Sequence, residues 1–277
     1  MAVASENGCL LRVAVVSPKY YRPTEPINEK QVVEYQIGQI DHPELLEEHV
    51  ALVAALRECG VDVVEVEPNP LQPYALNVRD SAVMIGHQLF AGSMGKDVRR
   101  SEPFWIIPQI GHATDAVFLN SGHLEGGDVF LLADAVLVGL SERTDKAGAA
   151  ALAEATDRRV IPVPLRPGVL HLDTALNLVG QELMVAPDLV EDFGALRRQV
   201  AGLGVVSILE ITSAEAWELE TNFLFVGPAA AVCSAASSKG RVILEDRGIA
   251  VVPVPMTQHH RIGGSVRCAT LALDRTS

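Results

Sequence analysis

Short apolar phrases rich in β-branched residues return along this chain at intervals of roughly 45 residues. They occupy positions 60–66, 104–110, 159–163, 204–208 and 248–254, and the first reads Gly60-Val-Asp-Val-Val-Glu-Val66. Runs this short, flanked by turn residues, predict buried strands. Helical spacing precedes four of the five. In 43–59 the residues Leu45, Val50, Val53, Ala54 and Leu56 share one face. Segments 146–156, 189–203 and 235–247 read the same way, and Gly204 stands where a C-cap glycine would follow the second of these. The stretch before Phe104 is the poor member, interrupted by Gly92 and Gly95. Further strands are predicted at 82–85, 129–132, 183–185, 223–226 and 269–273. The repeating unit is therefore strand, polar motif, strand, helix.

Polar residues fall between the phrases at comparable places. In order they are Asp80, Glu125, His171 with Asp173, Glu220 with Asn222, and Cys268. Equivalent positions in rotationally arranged units converge on one axis, so these groups are expected to meet in a central pocket. Strand ends also carry polar turn residues for purely local reasons. A cysteine, a histidine and several carboxylates falling there together favour a site.

Composition narrows the chemistry. The 277 residues are 48% hydrophobic, enough to fill a core, and 35 acidic side chains against 22 basic ones leave a formal charge of -13. Such a surface repels nucleic acid and anionic membranes and is compatible with a cationic small molecule. No apolar stretch approaches the roughly 20 residues a membrane helix needs. The first nine residues include Glu6 and lack the basic-then-apolar order of a signal peptide. Four cysteines, Cys9, Cys59, Cys233 and Cys268, form no CxxC pair; they predict neither a disulfide framework nor a zinc site, and suit a reducing, cytoplasmic location. No cofactor and no metal is expected, because the polar set lacks a second His or Cys at ligand spacing.

Cys268 follows Gly263-Gly264-Ser265, whose glycines allow the backbone to approach a ligand closely. Cys59 and Cys233 read as inert core thiols. His171 and Asp173 lie two apart in what reads as an extended segment, which would put them on one face. A histidine beside carboxylates suits general acid/base work. Glu125-Gly-Gly-Asp128 alone is a common loop string. Together, Asp80, Glu125 and Asp173 suit a planar, always-charged guanidinium, which carboxylates grip with paired hydrogen bonds.

These strings, taken in order, resemble the guanidino-group-modifying enzymes: arginine deiminases, dimethylarginine dimethylaminohydrolases, agmatine deiminases and amidinotransferases. Arg79-Asp80, Glu125-Gly-Gly-Asp128, His171-x-Asp173, Asn222 and Gly-Gly-Ser-x-x-Cys268 carry the resemblance over most of the chain. It implies a five-bladed, pseudo-symmetric α/β propeller, one catalytic domain over 1–277. It also implies a covalent S-alkylthiouronium intermediate, with Cys268 as nucleophile, His171 as acid/base and Glu125 as its carboxylate partner. Asp80 and Asp173 would bind the guanidinium. Asn222 joins the substrate-binding set, as do Arg143 and one of the neighbouring pair Arg99 and Arg100, which match segments that hold the substrate α-carboxylate.

Dimethylarginine hydrolases usually carry Lys where this chain has Asp173, which favours a free, unmethylated guanidinium. Residues 17–28 are similar to arginine dihydrolases, but those have Asn in place of Asp80, which favours a single round of hydrolysis. The leading expectation is an arginine deiminase-like hydrolase giving a citrulline-type product. A dimethylarginine hydrolase is second and an amidinotransferase third; a dihydrolase or a non-catalytic arginine-binding protein is the weaker alternative. A homodimer is left open.

Overall fold

The computed structural model describes residues 2–33, 40–112 and 114–276. Its strands form five small sheets of three strands each. One contains β1 (Leu10–Val16), β2 (Asp62–Val66) and β15 (Leu271–Arg275). The next two are β3 (Ala82–Ile85), β4 (Gln88–Ala91) and β5 (Val117–Phe118), then β6 (Val129–Leu131), β7 (Ala135–Leu140) and β8 (Arg159–Pro164). The last two are β9 (Leu176–Val179), β10 (Glu182–Val185) and β11 (Ser207–Glu210), then β12 (Leu224–Gly227), β13 (Ala230–Ser234) and β14 (Ala250–Val254).

Every blade has the same plan. Its middle strand pairs antiparallel with one neighbour and parallel with the other, as β7 does with β6 and β8. A parallel pair needs a crossover, and a helix supplies it. His42–Glu58 joins β1 to β2, Lys146–Ala155 joins β7 to β8, Phe193–Ala201 joins β10 to β11, and Ser238–Glu245 joins β13 to β14. Three of these helices start on an aspartate N-cap: Asp41, Asp145 and Asp192 each accept a backbone N–H from the first turn.

The phrases at 60–66, 159–163, 204–208 and 248–254 fall on β2, β8, β11 and β14, the third strand of their blades. The phrase at 104–110 does not form a strand. It is the crossover helix Glu102–Gln109, and the blade's third strand is the two-residue β5 that follows. A short apolar run reads equally well as buried strand or buried helix. Here Pro103 in the first turn and Gly111 at φ +90 just past the end decide for helix. Ile106 and Ile107 turn inward while Phe104 and Trp105 stay out.

The first strands, β3, β6, β9, β12 and β15, are almost wholly buried. The helices lie outside them, with Leu52 and Leu56, Leu152, Leu196 and Leu244 packed inward at the crossovers. β15 closes the ring by pairing antiparallel with β1, so the two ends of the chain share one blade. Ala2 fastens this joint, its N–H donating to Asp274 and its carbonyl accepting from Arg275. No helix among the described residues is long and apolar enough to cross a membrane.

Candidate active site

Each blade delivers its polar residue at the same place, the turn that leads into its first strand. Asp80 sits in the turn Val78–Ser81 before β3, and Glu125 caps the turn Gly126–Asp128 before β6. His171 caps the helical turn Leu172–Ala175 before β9, with Asp173 inside that turn. Asn222 and Cys268 precede β12 and β15. The segment 171–173 is thus a cap and a turn rather than an extended strand, so Asp173 does not share a strand face with His171.

All six residues are buried. The His171 Nε2 lies 2.9 Å from Glu125 Oε2, and its Nδ1 lies 3.7 Å from Asp80 Oδ1. Burial opposes a charge on His171, but Asp80, Asp128 and Glu125 outweigh it and raise its pKa to about 9. Burial would keep Glu125 neutral, yet His171, Arg143 and Arg99 hold it ionised, below the usual carboxylate range. Close packing fixes this pair. A Cβ on Gly127 would fall 2.8 Å from the His171 ring and 2.9 Å from Asp80 Oδ1.

Cys268 is held by Asn222. The Asn222 amide donates to the sulfur at 3.2 Å, and its oxygen accepts the backbone N–H groups of Arg267 and Cys268 at 3.1 and 3.2 Å. Burial, reinforced by the charges of Asp173 and Asp80, pushes the thiol well above its ordinary range. In the free protein the sulfur is therefore protonated.

Asp80 and Asp173 are the open ends of the cluster. Asp80 Oδ2 accepts from Arg99 at 2.7 Å, but its Oδ1 has no hydrogen-bond donor, and neither oxygen of Asp173 has one. Burial raises the pKa of Asp173, against the pull of Arg267.

The three arginines singled out in the sequence divide. Arg99 is buried, gripping Glu102 through Nε and Nη2 at 2.8–3.1 Å as well as Asp80. Arg143 is buried against Glu125 at 3.2 Å and the Ile27 carbonyl. Arg100 lies outside the cluster; its side chain is 63% exposed and pairs with surface Asp97. Glu6 and Arg267 were missed in the sequence, and Arg79 was named there only as part of the Arg79-Asp80 string; the three are buried and joined where Arg267 grips Glu6 at 2.6 and 3.1 Å and Arg79 approaches it at 3.5 Å. Adjacency to Cys268 was a signal for Arg267. No sequence pattern connects positions 6 and 267.

Donor atoms of Asp80, Glu125 and His171 lie within 4.8 Å of one another, close enough to hold a metal ion. Arg99 and Arg143 already give these carboxylates positive partners, and His171 spends Nε2 on Glu125, so the set fits a metal ion poorly. Beside the cluster lies a cavity of about 240 Å³, lined by Glu29, Lys30, Glu142, Leu170, Thr174 and Trp217 among others. Its wall reaches the immediate neighbours of His171 and Asp173 but does not include Cys268.

Five blades around a buried cysteine, histidine and carboxylate cluster define a propeller of the guanidino-modifying superfamily. The family model described as N,N dimethylarginine dimethylhydrolase, eukaryotic, matches residues 19–275, and the chain belongs to that family. An uncharacterized protein, YkgA, of Bacillus subtilis is 28% identical and covers 98% of this chain and 94% of its own. The N(G),N(G)-dimethylarginine dimethylaminohydrolase of Streptomyces coelicolor is 26% identical over 91% of this chain and 95% of its own. An arginine deiminase of Mycolicibacterium gilvum is also 26% identical, over 83% of this chain and 66% of its own.

Among solved structures, the product-bound N-terminal domain of ArgZ, a cyanobacterial arginine dihydrolase, superposes with a TM-score of 0.84 at 19% identity, covering 96% of this chain and 98% of that one. The dimethylarginine hydrolase of Pseudomonas aeruginosa, complexed with citrulline, gives 0.77 at 22%, covering 95% and 99%. At these identities the likeness carries the fold.

Proposed function

We propose that this chain hydrolyses the guanidino group of free arginine, releasing ammonia and a citrulline-type product through a covalent adduct on Cys268. One observation carries the reading: buried carboxylate oxygens of Asp80 and Asp173 lack hydrogen-bond donors beside a buried, protonated thiol. A guanidinium brings five N–H donors, which is what these oxygens lack.

The same geometry supplies a trigger. Asp173 and Asp80 are the charges that help keep Cys268 protonated. A guanidinium seated between them cancels both, so substrate binding itself releases the thiol proton to solvent. The thiolate then attacks the guanidinium carbon, forming a C–S bond and a tetrahedral centre. Protonated His171, held by Glu125, gives its proton to the departing nitrogen, and the C–N bond breaks with loss of ammonia. Water adds to the remaining thiouronium as neutral His171 takes one of its protons. The C–S bond then breaks as the added hydroxyl gives up its remaining proton to the departing sulfur, leaving a ureido product and the thiol with which the cycle began. Arg99 and Arg143 are already spent on Asp80 and Glu102 and on Glu125 and the Ile27 carbonyl, so they brace the carboxylates, and the adjoining cavity of about 240 Å³ would take the rest of the amino acid.

Asp173 favours the unmethylated substrate, because two methyl groups on the facing nitrogen would bury a charged oxygen against carbon. A dimethylarginine hydrolase is the second reading, favoured by the family match. The test is to incubate purified protein with L-arginine, dimethylarginine and agmatine while scoring ammonia, dimethylamine, citrulline and ornithine. Ammonia and citrulline from arginine are expected, with Cys268→Ala inactive but folded and an adduct trapped on the peptide holding Cys268. Asp173→Asn should lower kcat/KM on arginine about tenfold or more and on dimethylarginine by less. Turnover of dimethylarginine alone selects the second reading, and substantial activity in Cys268→Ala overturns both.

A further inference from the structure

The residue next to the nucleophile has a place in the geometry that its neighbours do not explain. Arg267 is 2% exposed, and its guanidinium stacks 4.8 Å from the centre of the Phe130 ring. Nη1 and Nη2 grip Glu6 at 2.6 and 3.1 Å, while Nε points to Asp173 Oδ2 at 3.3 Å and has no other acceptor. Arg99 stands in the same relation to the other open carboxylate, between Glu102 and Asp80. Each of the two open carboxylates therefore has an arginine behind it, and each arginine is anchored by a second buried carboxylate.

We propose that Arg267 is a positioning residue: anchored by Glu6, it holds Asp173 in the ionised, aimed state that a guanidinium substrate requires. This rests on the guanidino-hydrolase reading above. The charged and titratable groups around Asp173 are Arg267, His171, Asp80 and Arg79, together with Cys268. Burial and Asp80 press Asp173 toward its neutral acid, and of the cations opposing them Arg267 acts most strongly. Arg79 cannot replace it, since its Nε and Nη2 already serve the Gly126 and Val129 carbonyls. A neutral Asp173 would lose its pull on the substrate cation and offer one oxygen as a donor instead of an acceptor.

A guanidinium that merely plugged the axis against Phe130 would affect stability and little else. The test compares wild type with Arg267→Met, Arg267→Lys and Glu6→Gln. In Arg267→Met the acid limb of kcat/KM for L-arginine should move up by about one to three pH units, the range an opposite charge at this distance commands. Activity should recover as pH rises. Arg267→Lys should fall between it and wild type, and Glu6→Gln should shift the limb the same way by less.

A second readout needs no substrate. Infrared spectra of Arg267→Met at neutral pH should show a protonated-carboxyl band that disappears in Arg267→Met/Asp173→Asn. An acid limb that coincides with wild type, together with no Asp173-dependent band, overturns the proposal. If Arg267→Met does not fold, unchanged limbs in both Arg267→Lys and Glu6→Gln overturn it. If the wild type ignores arginine altogether, the function above has failed and the infrared band alone decides the role of Arg267.

Discussion

His171 carries a charge that burial alone would forbid, and this has a measurable consequence for stability. Its pKa rises from an ordinary 6.5 to about 9 on folding, because Asp80, Asp128 and Glu125 outweigh the loss of solvent. A group whose pKa is raised in the folded state stabilises the fold fully below pH 6.5 and loses that contribution as pH climbs through about 9. The melting temperatures of wild type and His171→Gln should therefore differ most below pH 6.5, and the gap should narrow toward pH 9 and above. The contribution lost is on the order of 3 kcal/mol. A gap that stays constant with pH would mean His171 is neutral in the fold. At this scale much of the site was legible: Cys268, His171, Glu125, Asp80, Asp173 and Asn222 stand in distinctive short strings, and all six lie buried around one axis. The arginines were harder. Arg99 and Arg100 are adjacent and chemically identical, and only the turn at 97–99 decides which one faces inward. Glu6 offered no clue, since its partners Arg79 and Arg267 come from distant parts of the chain.

Turns rather than strands aim the chemistry, so small changes in the turns should matter more than changes in the strands. Gly126 and Gly127 illustrate this. An added Cβ at Gly126 would lie 2.1 Å from the Arg79 carbonyl oxygen, and one at Gly127 would press on His171 and Asp80. Gly127→Ala should fold with a lowered melting temperature, because the added Cβ meets side-chain atoms rather than backbone, and kcat should drop by about a hundredfold as His171 leaves its 2.9 Å contact with Glu125. Circular dichroism together with steady-state kinetics checks both halves; full activity would show that His171 tolerates displacement. The elements themselves were read well where amphipathic helices alternate with β-branched strands. The reading failed at 104–110, where apolar residues without a clear period fit either state and a proline decided. It also took 171–173 for extended chain, although an isolated four-residue helical turn leaves no periodic trace.

A ring of five blades tolerates a cut wherever a turn is exposed and its blade stays intact. The bend at 202–204, between the helix Phe193–Ala201 and β11, is such a place, with Gly202 and Gly204 exposed and open space where a Cβ on Gly204 would stand. A circular permutant that opens there and joins the original ends by a short flexible linker should fold and keep kcat within about tenfold of wild type, because Ala2 and Arg275 are already hydrogen-bonded neighbours. Loss of all structure in that permutant would show that the β1–β15 joint must be assembled from free ends. That joint reaches beyond stability. β1 leaves the ribosome ahead of β2 to β15 and then waits, unpaired on one edge, until β15 has been made. Cys268 stands just before β15, the last of the site residues to be synthesised. A growing chain therefore carries the carboxylates and the histidine for most of its synthesis without the thiol of Cys268 beside them.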